Sequence, residues 1–227
     1  MALNKETIII SLGGSLVAPN EIDIEFLKNF RRSLQKYLFQ KRFFIFIGGG
    51  RTARNYQKAL LEFGAEDKDR DEIGINVSRL NAGVVKQLFS EFSYSKIIID
   101  PTKKINVSKS VFVGAGWKPG RSTDYVSVMS AKTNNINTII NLTNVDYVYD
   151  KNPKEFPKAK PIKEISWPDF RKIVGDKWSP GLSMPFDPRA SKIAEKLKLK
   201  VIMINGKNLE RLEDFLNNKP FIGTVIQ

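Results

Sequence analysis

The chain has 227 residues, with 37 Lys and Arg against 24 Asp and Glu for a formal net charge of +13, and it contains neither His nor Cys. Those absences exclude a disulfide framework, a thiolate zinc site, a cysteine nucleophile, an imidazole base and a Ser-His-Asp triad. Any chemistry must rest on Lys, Arg, carboxylates, hydroxyls and backbone amides, and the charge excess points to an anionic partner or simply to a basic surface.

The 41% hydrophobic fraction is that of a globular chain. No apolar run approaches the roughly 20 residues of a membrane helix, and the first apolar stretch is too short for a signal peptide, so the expectation is a soluble intracellular protein. Strands are predicted at residues 7–12, 43–47, 96–100, 111–113, 138–142 and 200–204. Most are apolar on both faces, as in a parallel sheet covered on both sides. Between them Ile22, Phe26, Phe30, Leu34 and Leu38 recur at helical spacing. Ile73, Val77, Leu80, Val84 and Leu88 do the same, as do Ala190, Ile193, Ala194 and Leu197. The alternation predicts an α/β three-layer αβα sandwich with a mainly parallel central sheet. Residues 150–163 break the rhythm with three Pro and five Lys, and predict an exposed basic loop. Ser166 offers a helix N-cap with Asp169 three residues on.

Three glycine clusters follow predicted strands: Gly13-Gly14-Ser15, Gly48-Gly49-Gly50 with Arg51 and Arg54 beyond it, and Gly114-Ala115-Gly116 leading to Pro119-Gly120-Arg121-Ser122-Thr123-Asp124. Glycine lets backbone N–H groups approach an anion, and a helix N-terminus just beyond adds its dipole. A tight βα connection uses the same residues without any ligand. None of the clusters matches a P-loop or a dinucleotide-binding fingerprint.

The succession of these turns resembles the amino acid kinase superfamily, and within it the archaeal-type uridylate kinases. The similar segments are 48–56, Asp71 to Ile75 with Arg79-Leu80-Asn81-Ala82, Asn141-Leu142 running into 143–150, and the closing Gly223-Thr224. The resemblance spans the whole chain. It implies one domain over 1–227, with an acceptor-binding part up to about residue 133 and an ATP-binding part over 134–227. It also implies transfer of the ATP γ-phosphoryl group to UMP, with Mg²⁺ held mainly by the nucleotide phosphates, in pyrimidine nucleotide biosynthesis.

By this resemblance Gly13, Gly14, Arg54 and Asn144 are the catalytic positions. Gly13, Gly14, Gly50, Arg54, Thr143, Tyr149 and Asn152 hold ATP. Gly49, Asp71 and the loop Gly116, Trp117, Lys118, Pro119, Gly120, Arg121, Ser122 and Thr123 hold UMP, with Asp71 on the ribose. Asp71 also reads as a cap or first-turn acid of the helix that carries Ile73; Asp187-Pro188 resembles a family position near the nucleotide site, and Asp187 reads at least as well as the cap of the helix that follows it. No protein ligand for a metal is implied, nor a nucleic-acid or membrane partner; the protein is expected in the cytoplasm as a homohexamer.

Several positions depart from the family pattern. Ser11 stands where a Lys usually reaches the transferring phosphoryl group, and Arg51, Arg54 or Lys118 are the candidate replacements. Tyr147 replaces a Gly, Asn152 an Asp, and Trp117 and Arg121 are unusual in the acceptor loop. The alternatives are a relative with another phosphate or carboxylate acceptor, or a nucleotide- or oxyanion-binding protein with little turnover. A His-dependent isopentenyl phosphate kinase is disfavoured by the composition.

Overall fold

The computed structural model describes residues 5–153, 155–177 and 184–227. The elements in chain order are β1 (Glu6–Leu12), α1 (Gly14–Val17), α2 (Ile24–Gln35), β2 (Lys41–Ile47), α3 (Gly50–Glu62), α4 (Asp67–Leu88), β3 (Val111–Gly114), α5 (Thr123–Asn134) and β4 (Thr138–Thr143). They continue with β5 (Val148–Tyr149), β6 (Pro161–Ile162), β7 (Glu164–Ile165), α6 (Trp167–Val174), α7 (Pro188–Lys196), β8 (Lys200–Asn205), α8 (Leu209–Leu216) and β9 (Thr224–Ile226).

Seven strands form one sheet in the order β3-β2-β1-β4-β8-β9-β7, parallel except where β9 runs antiparallel to β8. Alternate residues of each strand serve opposite faces. On β1, Ile8, Ile10 and Leu12 join α2, α4 and α8 through Phe30, Val85 and Leu212. Ile9 joins α5, α6 and α7 through Val126, Phe170 and Ala194. Helices therefore cover both faces, which gives the expected three-layer sandwich and explains why the central strands read as unbroken apolar runs.

Several expectations are corrected. Residues 96–100 form no strand: Ile98 makes a single bridge to Gly114, while β3 takes its ladder from β2. Strands β5, β6, β7 and β9 do not appear among the predicted ones; β5, just before the basic loop, pairs with β6 inside its far end. On α4 the buried face carries Val77, Ser78, Asn81, Ala82 and Val85, whereas Leu80 is 73% exposed. Asp71 lies inside α4, whose N-cap is Glu66, so it is no cap. Ser166 caps α6 as expected, its Oγ accepting from the Asp169 N–H at 3.3 Å.

The chain steps from β1 outward to β2 and β3, then returns to β4 on the other side of β1. That reversal opens a crevice at the carboxyl ends of the strands, the place where open α/β sheets bind ligands.

Candidate active site

The crevice is a cleft of about 320 Å³ lined by the ends of four strands and the turns beyond them. Ser11, Gly13, Gly14 and Ser15 follow β1; Gly48, Gly49, Gly50, Ala53, Arg54 and Gln57 follow β2; Gly116 and residues 121–124 follow β3; Asn141, Leu142 and Thr143 end β4. The middle of α4 closes one side with Asp71, Gly74, Ile75 and Ser78.

Two of the glycine turns interlock. A Cβ on Gly14 would lie 2.3 Å from the Gly48 carbonyl oxygen and from the Gly50 nitrogen, and one on Gly50, whose φ is +67°, 2.4 Å from the Gly14 carbonyl. Glycine is thus required here by backbone packing as well as by any approach of an anion. Asn81 on α4 donates to the Gly48 and Gly49 carbonyls at 3.0 and 3.4 Å. Helices α3 and α5 both begin at the cleft, so their N-terminal dipoles make it favourable to negative charge.

At the cleft floor lies a carboxylate network that the sequence did not disclose. Ser11 occupies the same face of β1 as Ile9, and its Oγ donates to Asp124 Oδ1 at 3.0 Å. Asn141 Nδ2 lies 3.4 Å from the same oxygen, and the Asp187 N–H donates to Asp124 Oδ2 at 3.2 Å. Asp187 caps α7 through the Arg189 and Ala190 N–H groups, and also accepts from Ser122 Oγ at 2.5 Å. The cap expected of Asp187 and a place beside the site therefore coexist. Burial, reinforced by the neighbouring Asp187, pushes the Asp124 carboxyl up to about 7, against the opposing Ser11 and Asp187 hydrogen bonds. The visible signal was Asp124 at the end of the Pro119-Gly120-Arg121-Ser122-Thr123-Asp124 segment, but a lone acid has no spacing that marks it.

Of the residues expected at the site, Gly13, Gly14, Gly49, Gly50, Arg54, Asp71, Gly116, Arg121, Ser122, Thr123 and Thr143 line the cleft. Asn144, Trp117, Lys118, Pro119, Gly120, Tyr149 and Asn152 do not. Gly120 backs the site, donating its N–H to Asp71 Oδ2 at 2.6 Å. Burial raises the Asp71 carboxyl above its ordinary value, partly offset by that bond. Asn144 follows Thr143, Tyr149 packs edge-on against Tyr147 with ring centres 6.5 Å apart, and Asn152 bonds Glu155 at 2.6 Å in an exposed turn. Among the candidate cations, Arg51 reaches away to Asn20 at 2.7 Å and the Lys118 ammonium stacks over Trp117 at 4.1 Å. Arg54 is left facing the cleft, with Arg121 stacked over Tyr125 at its rim.

The amino acid kinase family model matches residues 6–205. A uridylate kinase of Pyrococcus abyssi is 32% identical over 224 residues, covering 97% of this chain and 99% of that protein. One of Thermoplasma volcanium is 33% identical over 227 residues, covering 98% of each. The crystal structure of uridylate kinase from Archaeoglobus fulgidus superposes with a TM-score of 0.84 at 31% identity, covering 97% of this chain and 99% of that one. With its cleft at the sheet reversal and its interlocked glycine turns matched over nearly the full length, the chain belongs to the amino acid kinase family.

Proposed function

We propose that this protein is a uridylate kinase that transfers the γ-phosphoryl group of ATP to UMP, giving UDP and ADP for pyrimidine nucleotide synthesis. The observation that carries the reading is the convergence of three glycine turns on one cleft, with Arg54 on one wall and Asp71 on another. The near-full-length likeness to uridylate kinases selects the acceptor.

The attacking oxygen of the UMP phosphate is already anionic, so the reaction needs neither a covalent nucleophile nor a strong base. One phosphate oxygen forms a bond to the γ-phosphorus as the bond to the ADP oxygen breaks, and the electron pair leaves with ADP. The protein's task is to align two anions that repel each other and to neutralise the charge between them. The N–H groups of the Gly13-Gly14 and Gly49-Gly50 turns and the α3 N-terminus supply fixed dipoles, and Arg54 supplies a guanidinium whose planar fork matches phosphate oxygens. Asp71 accepts hydrogen bonds from the acceptor ribose. Thr143, Asn144, Tyr149 and Asn152 form the ATP side, so residues up to about 133 serve the acceptor and 134–227 the donor.

Mg²⁺, carried on the nucleotide phosphates, supplies further charge neutralisation. The site fits a cation: Asp124, held up to about 7 by burial beside Asp187, is a carboxyl that a nearby positive charge would restore to its ionised form. Among the described residues no three acidic side chains converge as a metal cage.

The exposed apolar residues of α3 and α4 support a homo-oligomer, hexameric by family likeness. Leu80 is 73% and Tyr56 56% exposed, and Val84 is half-exposed one turn beyond Leu80. Leu80→Asp is expected to reduce the particle size in light scattering, with the helical content unchanged; a wild-type chain that is already monomeric would contradict the assembly. Among the described residues no helix is long and apolar enough to cross a membrane, in keeping with the cytoplasmic placement we propose.

The test is ADP release from Mg-ATP with UMP, CMP, dUMP, isopentenyl phosphate and acetylglutamate offered separately. UMP is expected to give the highest kcat/KM. UMP binding without ADP release would favour a binding protein that lost turnover with the Lys at position 11. Asp71→Asn is expected to raise the UMP KM about tenfold, the scale of a lost hydrogen bond to a charged group, with a smaller effect on ATP. The opposite split in steady-state kinetics would mean that the two nucleotide sides are exchanged.

A further inference from the structure

The loop between β3 and α5 carries most of the acceptor positions, yet residues 115–122 contain no helix or strand. Its shape must come from elsewhere, because a loop without a ladder of its own pays conformational entropy for every fixed residue. Its ends are anchored by the Ala115 N–H on the Ile98 carbonyl at 3.0 Å and by Ser122 Oγ on Asp187 at 2.5 Å, and between them three hydrogen bonds have their partner on α4. The Gly116 N–H donates to Ser78 Oγ at 2.9 Å. Arg79 Nη2 donates to the Trp117 carbonyl at 3.3 Å. The Gly120 N–H donates to Asp71 Oδ2 at 2.6 Å.

The spacing explains why one helix can do this. Residues 71, 75, 78 and 79 share one face of α4, at steps of about one and two turns. Gly116 presses on that face so closely that a Cβ there would lie 2.8 Å from Ser78 Oγ and 3.0 Å from Ile75. Ser78 is 3% exposed and its own hydroxyl donates to the Ile75 carbonyl at 2.7 Å, which turns a lone pair toward Gly116. Arg79 is not among the residues that line the cleft; its Nη2 goes to the Trp117 carbonyl instead. Its long side chain reaches the loop backbone.

We infer that Ser78 and Arg79 are positioning residues that clamp the 115–122 loop onto α4 and thereby set the affinity for the acceptor nucleotide. The inference rests on the proposed reaction only for its kinetic consequence. Asp71 joins the two events: one carboxylate oxygen holds the Gly120 N–H while the residue faces the cleft, so loop closure and acceptor recognition meet at a single group. The hydrogen bonds of Ser78 and Arg79 among the described residues go to Ile75, Gly116 and Trp117 and to none of the positions assigned to ATP, so the larger effect is expected on the acceptor.

The test compares Arg79→Gln, Arg79→Lys and Ser78→Ala in the full chain, by steady-state kinetics and by amide hydrogen exchange without nucleotide. Arg79→Gln and Ser78→Ala are expected to raise the UMP KM about five- to tenfold, the scale of one hydrogen bond with a charged or buried partner, and to leave the ATP KM within about twofold. Arg79→Lys should recover part of the loss. The amides of Gly116 and Gly120 should exchange at least fivefold faster in the two disrupting variants, with α4 and β3 unchanged. Unaltered exchange at both glycines, or exchange quickened throughout α4 and β3 alike, would overturn the clamp. If the wild-type chain turns over no UMP, the exchange result still decides the clamp, so the two failures are told apart. Should Arg79→Gln not fold, Ser78→Ala carries both readouts.

Discussion

Arg54→Ala is expected to lower UMP-dependent ADP formation by about a hundred- to a thousandfold in kcat, the scale of removing a preorganised charge from a transition state. Arg54 is the fifth residue of α3, one turn beyond Gly50, and lines the cleft. The position that usually carries a Lys is Ser11, whose hydroxyl is committed to Asp124. Arg51 and Lys118 are committed elsewhere, to Asn20 and to the Trp117 ring. Charge that develops between two phosphates must then be met by Arg54, with Arg121 at the rim, and by backbone dipoles and the cation carried on the nucleotide. Arg54→Lys should keep a larger share of the rate than Arg54→Ala, although it loses the guanidinium fork. Rapid-quench kinetics read the chemical step directly, and an unchanged rate in Arg54→Ala would remove this residue from the mechanism.

Asp124→Asn is expected to cut kcat/KM by a comparable factor and, at alkaline pH, to stabilise the folded chain. The stability effect follows from linkage. The folded carboxyl titrates at about 7 whereas the unfolded one titrates near its ordinary 3.8. The folded state therefore binds the proton more tightly, and the contribution is fully present below the unfolded value. It is lost as pH rises through 7 and the buried carboxylate must ionise next to Asp187. Between pH 5 and pH 8 the loss for wild type is about 2.5 kcal/mol. An Asn at this position does not titrate, so the stability difference between variant and wild type should move in favour of the variant by about that amount over the same interval. An Asn amide that turns its oxygen to the Asp187 N–H and its nitrogen to Ser11 Oγ keeps both contacts, and any cost of the exchange is the same at every pH and leaves the slope alone. Urea unfolding at pH 5 and pH 8 measures it; a difference independent of pH would show that Asp124 does not titrate in this range. The matching expectation in kinetics is an acidic limb near 7 in kcat/KM, the quantity that reports the free enzyme.

A fold that conflicts with its own stability at one buried carboxyl is also where sequence reading falls short. The central strands were legible because burial on both faces leaves unbroken apolar runs, as in Phe43-Phe44-Ile45-Phe46-Ile47. The glycine turns were legible because close backbone approach admits no other residue, as the Gly14–Gly50 contact demonstrates. Strand β9 escaped notice because three residues give no periodicity, and its pairing with β8 is a matter of tertiary packing. The run Ile97-Ile98-Ile99 misled in the other direction: it has strand composition but finds only one bridge at the edge of the sheet.

On α4 the periodicity overlapped the buried face only in part, at Val77. Hydrophobic spacing found Val77, which is buried, and Leu88, which packs against the core, but it also selected Leu80 and Val84, which are exposed. The face turned inward carries Ser78 and Asn81, polar residues that hold the acceptor loop and the Gly48-Gly49 carbonyls. A pattern search that treats polarity as exposure excludes such residues. Thr224 shows the same effect at smaller scale: it is fully buried, accepts from the Val148 N–H at 2.9 Å and donates to the Ile162 carbonyl at 2.5 Å, so it ties β5 and β6 to the main sheet. Tyr149 and Asn152, taken over from the family pattern, lie outside the cleft in this structure, and their contact with nucleotide rests on the proposed donor side.

The central claim is direct transfer of a phosphoryl group between two nucleotides bound side by side. Mixing the protein with UMP and Mg-ATP labelled in the γ-phosphoryl group, then resolving the products, tests it most directly. The account predicts that the label appears in the β-phosphate of UDP in step with ADP formation, and that it does so far more slowly in Arg54→Ala. Label found only in ATP and inorganic phosphate, with UMP unchanged, would contradict it.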